Sequence, residues 1–386
     1  MRRLEVARTV EAVEALRPAW SALQGPHYSS DIDQFLTFVR HSPRDVSPHV
    51  VLVERDGEPA GLVVARLENF PLPARLGYVR FAPQVRSATV VYGGFLGADD
   101  ENGAQMLLDA LSESLRSERV DLVRLRMLTV DSPVHAAATG RAPALRRRRF
   151  FPRLPHWTAR VTGSLDEFLA GRSRRRRDQI RRHVKDFEAR HAGELELRYF
   201  RRPDELEELF ALSERVYSAS YQSSLGVGFH TDPLNRRLVE LALEQGWFLG
   251  AVLSLGGEPI AFKHGNVYRG TYAGVGHAFH PAHSADRPGN YLLVKVIETL
   301  CADPDVHTLD FGFGGGQYKQ SFGDEYRLEE DVGVFEWTPR AVGVHVSQTA
   351  ILSAGAAAQS VLRRTGGVQT LRRRWRARLG SSGTDR

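Results

Sequence analysis

The sequence predicts a mixed α/β fold laid down twice along one chain, each copy a mostly antiparallel sheet flanked by helices. Three observations predict it. Residues 50–61 and 250–261 share one pattern, an apolar run, a two-residue turn and then Glu-Pro, in the same register about 200 residues apart. The turns, Asp56-Gly57 and Gly256-Gly257, are strong hairpin signals. After each hairpin the order strand, helix, strand follows.

In the first copy, residues 9–24 read as helical with Trp20 on the apolar face. Residues 28–40 read as a second helix entered through Ser29-Ser30-Asp31. Strands follow at 49–54 and 59–67, then strand 88–96, helix 102–117 and strand 120–128. Residues 143–155, with arginines 146–149, read as an exposed connection, and strand 156–162 leads out of it. The second copy places helices over 164–191, strand 195–201, and helices 203–220 and 232–245. A meander covers 247–255, 258–268 and 270–279. Helix 289–302 buries Leu292, Leu293, Val296, Ile297 and Leu300, and a strand over 306–311 runs into the Gly-rich loop 312–316. The expected division is 1–155, 156–338 and a basic helix and tail over 339–386.

Composition narrows the class. A chain of 386 residues, 42% hydrophobic, fills two domains. It has no apolar run of about eighteen residues, so no transmembrane helix is expected. Its start lacks the apolar core of a signal peptide. Cys301 is the single cysteine, which excludes an internal disulfide and a Cys-rich metal site and suits a reducing cytoplasm. No His-Glu-x-x-His pattern occurs, so no metal is expected. Lysine occurs only at 185, 263, 295 and 319, and every other basic side chain is arginine. The favoured reading of that bias is drift from Lys to Arg, as expected of a GC-rich bacterial genome. A lysine that survives it marks a place where a compact ammonium is wanted, and Lys263 and Lys319 are two such places.

The stretch Arg287-Pro288-Gly289-Asn290 opens a helix between two strands. Pro288 presets the first turn, and Gly289 admits a ligand close to the backbone. With Arg287 and the N–H groups of 289–291, Tyr291 included, this is a candidate phosphate site. In the first copy the matching loop carries Asp99, Asp100 and Glu101, which suit a helix dipole and repel a pyrophosphate. That copy is read as degenerate for donor binding, shaping the acceptor cleft instead.

The order hairpin, strand, Gly-bearing turn, helix, strand resembles the GNAT N-acyltransferase fold. The tandem, with Asp310-Phe311-Gly312, Tyr318-Lys319 and Phe322-Gly323 in its second copy, resembles the double-GNAT acyltransferases of the CelD/BcsL type, distant relatives of the Fem aminoacyl transferases. The resemblance spans most of residues 9–337. It departs at the pyrophosphate loop, where Gln/Arg-x-x-Gly-x-Gly/Ala is usual and Ala285-Asp286-Arg287-Pro288-Gly289-Asn290 keeps one glycine. It implies acyl-CoA, first acetyl-CoA, as donor. It implies an amine acceptor on a sugar nucleotide or cell-envelope polysaccharide precursor, lying between the domains.

On that reading Asp310 orients the acceptor or takes its proton, against a reading as a cap of the loop 312–316. Lys319 stabilises an oxyanion or binds an acidic group, against a solvated lysine. Tyr318 donates to the leaving thiolate, against core packing. His264 is a candidate base, against a satisfied strand histidine. Tyr217, Tyr221 and Gln222, with the loop 223–229, fall where the resembled family faces its acceptor, and Lys263 joins them as a candidate substrate contact. Seven arginines over 172–182 and the basic stretch 341–379 leave two other partners open, RNA and an anionic membrane surface. The alternatives are a Fem-like transferase using aminoacyl-tRNA, or a non-catalytic, membrane-associated protein of a polysaccharide system. The expected location is cytoplasmic, with peripheral attachment at the inner membrane as a variant.

Overall fold

The two hairpins carry their likeness into three dimensions. In the computed structural model, residues 2–72, 74–76, 79–141, 147–149, 152–220, 232–338, 340–346 and 349 are described. The first hairpin joins β2 (Ser47–Arg55) to β3 (Glu58–Pro71), with Val53 opposite Gly61 and then a slip that sets Glu54 opposite Pro59. The later one joins β11 (Phe248–Leu255) to β12 (Glu258–Tyr268), with Leu253 opposite Ala261 and the same slip at Ser254 and Pro259. Both turns have two residues at positive φ, Asp56 and Gly57 at 54° and 91°, Gly256 and Gly257 at 57° and 81°. That is the turn whose twist matches a right-handed strand pair.

Each hairpin sits in the same run of strands. In the first copy β1 (Arg2–Ala7), β2, β3 and β6 (Gln84–Leu96) form an antiparallel series, and β7 (Leu122–Thr129) lies parallel to β6. A short hairpin of β4 (Ala74–Leu76) and β5 (Val79–Phe81) stands apart. In the second copy β10 (Leu195–Phe200), β11, β12 and β13 (Thr271–Phe279) repeat the series, and β14 (Thr308–Phe313) lies parallel to β13.

The copies exchange strands where they meet. β9 (Leu154–Arg160) follows the first copy in sequence but pairs with β14 of the second. β15 (Glu325–Phe335) closes the second copy but pairs with β7 of the first. β9 and β15 pair with each other, and β8 (Arg147–Arg149) adds to β15, so thirteen strands of the described residues make one sheet. β1 and β15 were absent from the sequence reading. β15 hid because Glu329-Glu330-Asp331 reads as loop, whereas all three are buried in the strand.

Helices cover both faces of each copy. Helix Glu101–Ser114 packs on one face of the first sheet, with Leu107 and Leu111 against Val63 and Val90. Trp20, Phe35 and Leu36 fill the other. In the second copy helix Pro288–Cys301 buries nearly its whole length with Leu292, Val296, Ile297 and Leu300, and Cys301 joins that core. Helices Leu206–Ala219 and Pro233–Glu244 cover the opposite face through Leu209, Phe210 and Val239. Helix 289–302 of the sequence reading starts one residue earlier, at Pro288. Tyr318 and Lys319, expected in a loop, lie in a short helix, Gln317–Phe322. Most of the expected membrane-facing stretch 341–379 lies outside the described residues. No helix among the described residues is long and apolar enough to cross a membrane.

Candidate functional site

The site forms where a parallel ladder stops. β13 and β14 share three registered pairs, from Thr271 with Thr308 to Ala273 with Asp310. Beyond Asp310, β14 continues only against β9, and Gly312 turns the chain at a φ of 69°. A bulge at His264 and Gly265 shifts β12 against β13 at the same level. A chamber of about 410 Å³ opens there, lined from the first copy by Tyr28, Tyr92 and Arg126 and from the second by Lys263, Asp310 and Lys319.

A buried charge relay forms one wall. His156 on β9 sets Nε2 2.6 Å from Asp310 Oδ1 and Nδ1 2.9 Å from Glu329 Oε2. Arg327 Nε donates to Glu329 Oε1 at 2.8 Å, and its guanidinium also donates to the Tyr92 hydroxyl at 3.1 Å. Burial opposes a charge on His156, yet the bonds to Asp310 and Glu329 win and raise its pKa. The same imidazole overcomes burial at both carboxyls and lowers theirs. Strands β6, β9, β14 and β15 each contribute, so the relay exists only because the copies exchange strands.

Two lysines face the chamber from the other side. Lys263 and Lys319 are each 8% exposed. Burial pulls Lys263 down to about 8, and the charge of Lys319 adds to that. Burial likewise holds Lys319 near 8 against the opposing pull of Asp310. Lys319 Nζ donates to the Phe313 carbonyl at 2.7 Å. Lys263 makes no hydrogen bond or ion pair among the described residues. The lysines singled out by their rarity are thus brought together.

A second cavity, a groove of about 480 Å³, runs between helix Arg174–Arg190, the start of helix Pro288–Cys301 and helix Gln317–Phe322. Arg176, Gln179, His183, Arg287 and Asn290 line it, a polar and cationic wall suited to phosphates. Tyr318 lines both groove and chamber. Its hydroxyl has no partner among the described residues, and burial pushes its pKa up to about 12.

Other predicted residues fall elsewhere or are already engaged. His264 stacks on Phe262 across from Lys263 and does not line the chamber; burial and the nearby Lys263 push its pKa down to about 3. Successive strand residues face opposite ways, so choosing Lys263 for the chamber removes His264 from it. Tyr291 is a packing residue, its ring 4.5 Å from Phe187 and its hydroxyl donating to Glu188. Of the N–H groups at 289–291, those of Asn290 and Tyr291 already bond the Arg287 carbonyl, at 3.0 and 3.4 Å. Arg287 itself takes the left-handed conformation, φ 53°, at the head of the helix. Asp310 Oδ1 also accepts from the Gly312 amide at 2.6 Å, as the loop-cap reading expects, and the residue lines the chamber as well. A carboxyl held this acidic is a poor base. Tyr217 packs against the core of helix Leu206–Ala219 and not on the chamber. Tyr221, Gln222 and the loop 223–229 lie outside the described residues. The arginines of 172–182 divide their roles. Arg172 bonds Asp324, Arg177 bonds the Arg172 carbonyl, Arg181 bonds Asp166, and Arg176 lines the groove. His156, Glu329, Arg327, Tyr92 and Arg126 escaped sequence reasoning, since nothing local marks a histidine after Pro155 as buried between two acids.

Residues 174–320 match the family described as the acetyltransferase (GNAT) domain. No curated protein matches. A crystal structure of FemX is similar in fold over 89% of this chain and 100% of its own, with a TM-score of 0.60 and 11% identity. A conserved protein of unknown function from Bacteroides thetaiotaomicron covers 87% of this chain and 100% of its own at 0.53 and 13%. The C-terminal domain of a putative lysylphosphatidylglycerol synthetase from Agrobacterium fabrum covers 89% of this chain and 98% of its own at 0.50 and 12%. At these identities the likeness is one of fold.

Proposed function

We propose that the protein is an acyltransferase of the CelD/BcsL type, moving an acyl group, first acetyl, from acyl-CoA to an amine of a sugar-nucleotide or cell-envelope polysaccharide precursor. One observation carries the reading: Tyr318 stands with an unpartnered hydroxyl between a cationic groove and a chamber shared by both copies. The GNAT match over 174–320 includes both ends of that groove. The groove's residues fit a CoA donor, with Arg176, Arg287 and Asn290 beside its phosphates and Gly289 leaving room at the helix start, where an added Cβ would meet only Phe279 at 3.6 Å.

The chamber residues then have separate tasks. Lys319, held by the Phe313 carbonyl, stands ready to stabilise charge that develops on a carbonyl oxygen. The Tyr318 hydroxyl donates its proton to the thiolate that leaves as the C–N bond forms and the C–S bond breaks, and the proton released by the attacking nitrogen restores the hydroxyl. Asp310, fixed by His156, orients the acceptor amine through hydrogen bonding rather than by taking its proton. The cationic surroundings of Lys263 and Lys319 favour the neutral, nucleophilic amine over its ammonium form.

Calorimetric titration with acetyl-CoA and with free CoA tests this reading. Micromolar binding of both is expected. Binding of neither, with retention of aminoacyl-tRNA instead, would overturn it in favour of the Fem-like alternative. Tyr318→Phe is expected to keep that affinity and to slow thiol release roughly 10- to 100-fold.

A further inference from the structure

The chamber is built for more positive charge than the transfer requires. Lys263 is buried to within 8% of its surface, lines the cavity and has no hydrogen-bond or ion-pair partner among the described residues. Arg126, within β7 of the first copy, lines the same cavity, and its Nε is buried without a hydrogen bond. Lys319 is a third cation, held by the Phe313 carbonyl and assigned above to the transfer itself. Among the residues lining the chamber the one carboxylate is Asp310, whose Oδ1 is bonded to His156 and the Gly312 amide rather than to Lys263. Burying an unpaired ammonium forfeits its solvation, and placing it near a second cation adds to that cost. A core would be served better by a methionine at 263. Such an arrangement persists where a ligand completes the pairing.

We infer that the acceptor carries a compact anion, a phosphate or a carboxylate, which docks on Lys263 beside its reacting amine in a chamber that Arg126 also lines. The cavity, about 410 Å³, holds a small amine together with such a group. Lys263 belongs to the second copy and Arg126 to the first, so both halves contribute a cation to the chamber that receives the anion. Lys263 thereby selects the acceptor, while Tyr318 and Lys319 serve the transfer. The inference names the acceptor class for the acyltransfer reading above and rests on it.

The test uses the full chain saturated with CoA, so that the groove is filled. Glucosamine 6-phosphate is titrated against glucosamine, and 6-aminohexanoate against hexylamine, which separates phosphate from carboxylate. The anionic member of at least one pair is expected to bind at least tenfold more tightly than its partner. Lys263→Met and Arg126→Met are each expected to weaken that binding roughly 10- to 100-fold with CoA affinity unchanged. Equal binding within both pairs, absence of any anionic binding, or a Lys263→Met variant that binds the anion normally would overturn the inference. Failure of CoA itself to bind, read in the same titration, would instead overturn the acyltransfer reading.

Discussion

The helix that follows the first parallel strand and the helix that follows its counterpart differ at their opening residues. Asp100 caps helix Glu101–Ser114, its Oδ1 accepting from the Gly103 amide at 2.7 Å, with Asp99 and Glu101 alongside. Helix Pro288–Cys301 has no side-chain cap, and Arg287 and Asn290 at its head line a groove. The first copy keeps a cavity in the matching place, between the ends of β6 and β7, but Asp99 lines it. A shared scaffold therefore carries two electrostatic designs. One helix start is capped by a carboxylate; the other has no side-chain cap and sets Arg287 beside a groove. We propose that donor binding was kept in the second copy alone.

The sharpest way to break the comparison is to add the same charge at both helix starts. Gly289→Glu should lower CoA affinity by about 100-fold or more, because it adds a carboxylate between Arg287 and Asn290, which line the groove. Asn102→Glu, at the same helical position in the first copy, should leave it unchanged. Equal losses in calorimetry would show that both copies bind donor.

The relay at the exchange seam comes next in size. His156→Ala leaves two buried carboxylates without their shared cation and should cost about 3–5 kcal/mol in chemical denaturation. The pH profile follows from signs. His156 has a raised pKa, so its contribution is full below about pH 6.5 and lost as pH climbs through the raised value. Asp310 and Glu329 have lowered values, so theirs is present above about pH 4.5 and lost as pH falls through the lowered ones. The difference between wild type and His156→Ala should thus be largest between about pH 4.5 and 6.5.

Lys263→Met should act in the opposite sense, raising stability at pH 7 by about 1–3 kcal/mol while weakening acceptor binding. Burial lowers the Lys263 pKa from 10.5 to about 8, so the wild type should catch up as pH rises between those values. A variant no more stable than wild type would mean that the ammonium is satisfied. The smallest test concerns the twin hairpins. Gly57→Ala and Gly257→Ala, at φ of 91° and 81° with no neighbour within 4 Å of the added Cβ, should each cost about 1 kcal/mol. Unequal costs would mean that the repeat is looser than its register.

Legibility followed the range of the forces involved. The hairpins, the Pro-led helix and the buried meander could be read because turn chemistry and periodicity are local. Lys263 and Lys319 stood out because lysine is rare in this chain. β15 and the relay could not be read, since Glu329, Glu330 and Asp331 look solvated until partners about 170 to 200 residues away in sequence are supplied, His156, His135 and Arg124. His264 misled because a strand offers two faces and sequence does not say which meets the cavity.

The exchanged strands also set a timetable for the nascent chain. β7 ends at Thr129, but its partner β15 begins at Glu325. At about 5–20 residues per second the ribosome needs roughly 10–40 seconds to deliver that partner, during which the β7 edge stands open to wrong pairings. β9 waits in the same way for β14. The first half is thus a template that must stay unfinished until the second has emerged, and the expected cellular consequence of that seam is a chaperone dependence during synthesis that is absent in refolding of the completed chain at low concentration.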